Sequence, residues 1–329
     1  MTPACAIQYP RAGGPGAAAL EQDYSMQSKD EIAAELAARV SPATVLRRDE
    51  PLARRTTLRV GGAADLLVEP ASEADLAAVV RYCREHEVPF IALGRGSNLL
   101  VRDGGYRGVV IALGQPAFQR IEAEAERLRC GAGAKLKNVA VEAKRHGLSG
   151  LEFLEGIPGS VGGALRMNAG AMGGAVFDVV KLVRVMDYFG SVHELAPGLF
   201  RVEYRCCPLL KNHVALGAVF QCRPAPREEI ERRMNEFSRK RWASQPAAPS
   251  AGCIFKNPPA IPAGRLIEEL GLKGQRVGGA VVSTEHGNFI VNDGTATARE
   301  ILELIEKLKQ RAKAARGIEL QTEVEIIGE

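Results

Sequence analysis

The sequence predicts an α+β chain built as two units, on three observations. Its 329 residues exceed the roughly 100–200 of one domain. Short apolar runs of strand type alternate with segments of helical period, but without the regular strand–helix repetition of a parallel α/β sheet. The composition shifts at about residues 223–227, where a charged helical segment opens.

Residues 1–28 are rich in Ala, Gly and Pro. Lacking a basic start and a compact apolar stretch, they read as a disordered extension, not a secretory signal, with Met26 as an alternative initiator. Their GPGAAA run (14–19) fits G-x-G-x-x-A, but it follows no strand and opens no βαβ unit, so it carries no dinucleotide reading. The first unit is expected over 29–223, with its core at about 56–223. A short amphipathic helix spans 29–40, closed by Ser41-Pro42. TLRV (57–60) and ADLLVEP (64–70) read as strands, and Ser72 caps a helix running to about 86. PFIAL, NLLV and GVVIAL are strands separated by glycine turns. One or two strands over 120–133, a helix over 135–146 and strands at 179–188 and 214–222 complete the unit. The second unit, 224–329, holds a helix at 228–242, the loop QPAAPSAG, a strand CIFK (253–256) and a short helix at 266–270. Strands near 280 and 289, a long helix over 297–315 and a terminal strand follow.

Hydrophobic residues at 46% and charged residues at 25% are those of an ordinary soluble chain with a full core. Its 43 basic and 39 acidic residues leave a net charge of +4, too balanced for a nucleic-acid polymer partner. No apolar run is long enough to predict a membrane-spanning helix. Seven cysteines, an odd number without CxxC spacing, and five histidines predict neither a disulfide framework nor a zinc cluster. They fit a reduced, cytoplasmic protein with mostly buried thiols.

Glycine makes up 35 residues, well above the usual share of about 7%, and it clusters. The turn Gly94, Arg95, Gly96, Ser97, Asn98 lies between two apolar strands, and GIPGSVGGA (156–164) forms a second cluster. Glycine permits positive φ and lets backbone amides approach an anion. Such turns are equally tight hairpins, and the residues alone leave the two readings level. A Rossmann site fails because Leu99 replaces the third glycine and a strand follows; no P-loop is present. What remains is a pyrophosphate cofactor clamped by two lysine-free loops.

The runs LGRGSNLLVRDGGYRG, EFLEGIPGSVGGALRMNAGAMGG, PSAGCIFKNP and LQTEVEIIG, in that order over 56–328, resemble the UDP-N-acetylenolpyruvoylglucosamine reductase family. The resemblance implies a module binding FAD in the vanillyl-alcohol-oxidase (PCMH) manner, followed by a smaller α+β substrate-binding domain. It implies NADPH as hydride donor and UDP-N-acetylglucosamine enolpyruvate as acceptor, giving UDP-N-acetylmuramate for peptidoglycan. The compact segment 204–251 is similar to the family's shorter type, without an inserted substrate-covering loop. Neither glycine loop contains histidine, so FAD is expected to bind noncovalently. Oligomeric state stays open.

The resemblance assigns FAD binding to Gly94, Arg95, Gly96, Ser97 and Asn98, and to Gly159, Ser160, Gly162, Gly163 and Asn168. It assigns substrate binding to Lys256, Asn257, Arg241 and Gln245. Arg205, in VEYRCCP, matches a catalytic arginine; taken alone it reads as a surface arginine at a strand end. Glu323 matches a terminal catalytic glutamate, with Glu325 two residues on as its competitor. Cys253 stands where the family usually has a proton-donating serine, and Cys207 and Met172 also depart from the family pattern. An ordinary thiol is mostly protonated at pH 7 and is a stronger acid than a hydroxyl, although nearby Arg205 and Lys256 would favour the thiolate. Two other readings remain at this point: an FAD oxidoreductase acting on an alcohol or 2-hydroxy acid, and a noncatalytic nucleotide-sugar binding module.

Overall fold

The structure, a computed structural model, describes residues 27–329. The expected extension through residue 26, including GPGAAA and Met26, lies outside the described residues. Ser28, expected within that extension, instead caps helix α1 (Lys29–Ala37). Its hydroxyl accepts from the Glu31 amide while the Glu31 carboxylate accepts from the Ser28 amide, satisfying two donors that helix geometry leaves orphaned.

Architecture rests on a four-stranded, a five-stranded and a second four-stranded sheet. The first orders Val45–Pro51, Ala63–Glu69, Tyr106–Ala112 and Phe90–Leu93. Its outer pair is antiparallel and the other two pairings are parallel. Helices α1 and α2 (Glu73–Glu85) bury Leu36, Leu76 and Val80 in its core. The edge strand Val45–Pro51 was not expected: VLRRDEP alternates poorly and ends in proline, as solvent-facing edge strands do.

TLRV is not a strand. Leu58 and Val60 are buried in the core of the C-terminal unit, and Arg59 has φ +59°. The Leu58 carbonyl accepts from the Asn292 side chain at 3.1 Å instead of joining a ladder. This segment crosses between units, and its apolar residues serve the far core.

The five-stranded sheet is antiparallel throughout, with strands Val192–Leu195, Val180–Met186, Val214–Gln221, Arg127–Gly131 and Ile121–Glu124 in order. Helices α3 (Leu136–Arg145), α4 (Val161–Arg166), α5 (Val176–Val179) and α6 (Arg227–Trp242) pack against its core. Ile230 and Met234 of α6 share that core with Leu128 and Phe220. The change of core therefore falls after Trp242, and not near residue 224.

The last sheet orders Ser250–Cys253, Phe289–Asn292, Ala280–Val282 and Arg276–Val277. It is covered by α7 (Ala263–Glu269) and α8 (Ala298–Arg316). The expected CIFK strand is displaced, because the ladder ends at Cys253 and Phe255 bridges to Thr322 instead. The terminal strand Glu325–Ile327 leaves this sheet and pairs in parallel with Leu99–Val101. That pairing ties the chain's last segment to the glycine turn that opens at Gly94. No helix among the described residues is long and apolar enough to cross a membrane.

The described cysteines are free, with Cys83, Cys130, Cys207 and Cys222 buried. Burial pushes the Cys83 thiol up to about 12 and Cys222 up to about 11. A raised folded pKa contributes stability that is complete below the ordinary thiol pKa of about 8.5 and fades as pH climbs through it. The unfolded chain ionises there while the fold holds its protons. Melting measured against pH is therefore expected to be level near neutrality and to fall above about pH 9; replacing Cys83 by Ala should flatten that slope.

Candidate active site

One cavity of about 1160 Å³ lies where the three sheets meet, slightly above the roughly 300–1,000 Å³ of most small-molecule sites. Gly94, Arg95 and Ser97 line it from the first glycine turn, and Ser160, Gly162 and Gly163 from the second loop. The two loops touch. Ser97 Oγ donates to the Pro158 carbonyl at 2.6 Å, and a Cβ on Gly94 would come 2.6 Å from Ser160 Oγ. Gly96 has φ +58°, and a Cβ there would press within 2.6 Å of the Arg55 carbonyl, so both conformation and space require glycine.

This wall fits FAD. It is free of side-chain bulk at the glycines, and the buried Thr56 Oγ1 on the cavity lining has no hydrogen-bond partner. A buried hydroxyl left unpaired costs on the order of 1–3 kcal/mol, and a ligand accepting or donating there would recover it. Gly96→Ala is expected to yield a protein that folds but retains less than half the flavin of wild type after gel filtration, read from its visible absorbance.

Not every residue expected at the cofactor faces the cavity. Gly96 and Gly159 are not among the residues that line it. Asn98 turns its amide away: Nδ2 donates to the Glu323 carbonyl at 3.1 Å. Asn168 lines a smaller cavity of about 310 Å³ with Met172, Tyr204 and Arg205, and its Oδ1 accepts from the Phe177 amide. Met172 forms the tip of a hairpin between Gly170–Ala171 and Gly174–Ala175.

Arg205, Cys253 and Glu323 come together from three segments. Arg205 is at the tip of a tight turn closed by Glu203 and Cys206, with φ +56°. Left-handed backbone costs a non-glycine residue about 1–2 kcal/mol, and strain of this kind concentrates at functional sites. Its Nε donates to Glu323 Oε1 at 2.9 Å and its Nη2 to the Gly170 carbonyl at 3.3 Å. Nη1 makes no hydrogen bond within the described residues.

Cys253 is aimed by a β-bulge. Ser250 faces Val291 and Cys253 faces Phe289, so one extra residue is accommodated, and Gly252 there has φ +75°. Bulges re-aim side chains beside active sites. Beyond the bulge, the Glu323 amide donates to the Ile254 carbonyl at 2.7 Å and the Lys256 amide to the Gln321 carbonyl. This short antiparallel pairing sets the thiol and the carboxyl side by side.

Burial dominates the electrostatics of both acids. The Cys253 thiol is pushed up to about 12, with Glu323 adding to the rise and Arg205 and Arg241 opposing it. Burial thus outweighs the cations that would favour the thiolate, and the thiol keeps its proton near neutrality, as a proton donor requires. Burial also raises the Glu323 carboxyl above its ordinary value, against the pull of Arg205 and Lys256. Glu325, its competitor by sequence, lines the large cavity, and its carboxylate is held by Arg166 Nη2 at 2.6 Å.

Of the residues expected at the substrate, Arg241 lines the large cavity and donates to the Gly156 carbonyl. Lys256 acts on the Glu323 charge, and Asn257 is within reach of the Tyr204 hydroxyl. Gln245 lines neither cavity. Sequence reading missed Tyr204, whose ring lies 4.9 Å from the Arg205 guanidinium. It also missed Arg166 and the buried Asn288, whose amide clamps both backbone groups of Phe255. The only signal for Tyr204 was its place beside Arg205.

Comparison with known proteins gives the family. Residues 245–327 match the family model "UDP-N-acetylenolpyruvoylglucosamine reductase, C-terminal domain", and 64–196 match "FAD binding domain". The UDP-N-acetylenolpyruvoylglucosamine reductase of Heliobacterium modesticaldum is 47% identical over 86% of this chain and 90% of its own length. That of Geobacter metallireducens is 45% identical over 86% and 94%. The crystal structure of the Thermus caldophilus reductase superposes with a TM-score of 0.75 at 41% identity, covering 87% of this chain and 99% of that one. With the paired glycine loops and the convergence of Arg205, Cys253 and Glu323 already in place, the conclusion is that this chain belongs to the UDP-N-acetylenolpyruvoylglucosamine reductase family.

Proposed function

We propose that this chain, as an FAD-dependent oxidoreductase, reduces UDP-N-acetylglucosamine enolpyruvate to UDP-N-acetylmuramate with NADPH as donor, and that Arg205, Cys253 and Glu323 carry the protein's share of the chemistry. The observation that carries this reading is the meeting of the Arg205 guanidinium with the Glu323 carboxyl and the Cys253 thiol, with Arg205 lining the smaller cavity. FAD, when bound against the two glycine loops, supplies the hydride chemistry.

The enol ether must gain a hydride on one carbon and a proton on its neighbour, while negative charge builds on the adjacent carboxylate. Arg205 offers its free Nη1 hydrogens to that carboxylate, a charge-assisted contact that strengthens as the charge grows. Glu323, whose carboxyl burial raises above its ordinary value, donates to the developing enolate when it carries a proton. Cys253 delivers the proton to carbon, because its thiol keeps its proton at neutral pH. Lys256 adds positive charge beside the same group, and Arg241 faces the large cavity, where a diphosphate needs donors. We place this activity in the cytoplasm, where thiols stay reduced, at the step that supplies the peptidoglycan precursor.

Colour tests the reading directly. The purified protein is expected to be yellow, to bleach with NADPH and to regain colour on adding the enolpyruvyl substrate. A colourless protein would indicate a binding module. Colour restored by oxygen alone would indicate an oxidase acting on other substrates.

A further inference from the structure

Asn98 belongs by sequence to the glycine turn of the cofactor wall, yet its side chain is committed to the far end of the chain. Nδ2 donates to the Glu323 carbonyl at 3.1 Å and approaches Met167 Sδ at 3.7 Å. Its backbone carbonyl accepts from the Glu325 amide at 3.0 Å. One residue thus grips the chain on both sides of Val324, itself buried in the C-terminal core. From the other flank, the Glu323 amide is bound to the Ile254 carbonyl. The Glu323 backbone is therefore bonded through both its polar groups, its carbonyl to the glycine turn and its amide to the segment that carries Cys253.

We infer that Asn98 is a positioning residue for Glu323: its amide ties the cofactor turn to the catalytic strand and holds the Glu323 carboxyl against Arg205. The inference rests on the proposed role of Glu323. It makes the turn a two-sided element whose backbone faces the cavity while this one side chain braces the acid. The geometry explains why a side-chain amide is useful here. The Glu323 carbonyl points at the turn, no strand amide reaches it, and a buried carbonyl left unpaired is costly. Small displacements of a catalytic group lose rate out of proportion to their size.

The test uses Asn98→Asp, which keeps the shape but loses the donor, and Asn98→Ser, which keeps a donor on a shorter arm. Both are purified with FAD, and bleaching by NADPH and restoration by the enolpyruvyl substrate are timed separately. For Asn98→Asp, FAD content and bleaching rate are expected within twofold of wild type. Restoration should slow at least 10-fold with KM for the enolpyruvyl substrate little changed, and the pH at which its rate declines should shift. Asn98→Ser should recover part of that loss. Restoration by Asn98→Asp at the wild-type rate would overturn the inference, as would equal losses in FAD retention and both half-reactions. If Asn98→Asp does not fold, Asn98→Ala is read by the same criteria, and failure of every variant to retain FAD would assign the side chain to the cofactor. Glu323→Gln separates the underlying reading: wild-type restoration there sinks the role of Glu323 itself, whereas impaired Glu323→Gln beside normal Asn98 variants sinks only the positioning.

Discussion

Replacing Cys253 by alanine is expected to leave bleaching by NADPH close to wild type while product formation falls about 10²–10⁴-fold, the usual contribution of a positioned acid. The asymmetry follows from where the proton is needed. Only the second half-reaction places a proton on carbon, and the thiol that supplies it stays protonated because burial has pushed it up to about 12. Cys253→Ser should retain much of the activity, since a hydroxyl fills the same bulge and can donate. The sign of the pH effect is also fixed. A thiol pushed up to about 12 keeps its proton throughout the neutral range, so Cys253 itself should impose no decline in product formation there. Equal loss in both half-reactions of Cys253→Ala would contradict this assignment. So would rapid alkylation of Cys253 by iodoacetamide at pH 7, which requires a thiolate.

Arg205→Ala is expected to lower product formation by about 10²–10³-fold, comparable to the removal of one donor from a site where charge develops. It also removes the partner of Glu323, and the carboxyl, which burial already raises, would be raised further. Arg205→Lys should not restore the rate, because an ammonium cannot hold Glu323 through one nitrogen and a carboxylate through another in the same plane. The turn provides a control for stability. At φ +56° the backbone suits glycine, so Arg205→Gly should melt higher than Arg205→Ala, by the equivalent of about 1 kcal/mol, while being equally inactive. Parallel loss of stability and activity in both variants would mean that Arg205 serves the fold alone.

Local elements were largely legible in the sequence. Ser72 as a cap, the long helix α8 and the strands around the glycine turn follow from period, capping and glycine placement. Long-range exchanges were not. Leu58 reads as part of a strand until the core it enters is seen to be built mostly of residues more than 190 positions away. Helix α6 reads as the start of a new unit by charge, yet Ile230 and Met234 return it to the earlier core. The site divides in the same way. The family resemblance singled out Arg205, Cys253 and Glu323, but no spacing could reveal the left-handed turn under Arg205 or the bulge at Gly252. Asn98 was read as a cofactor contact because it lies in the glycine turn that the resemblance assigns to FAD, whereas its partner lies 225 positions along the chain.

The most direct test mixes the NADPH-bleached wild-type protein with UDP-N-acetylglucosamine enolpyruvate under anaerobic conditions, in water and in deuterium oxide. Prompt return of the yellow colour is predicted, slower in deuterium oxide, with one deuterium in the UDP-N-acetylmuramate formed, on the carbon neighbouring the one that receives the hydride. Colour that stays bleached until oxygen is admitted, with the enolpyruvyl substrate recovered unchanged, would contradict the account.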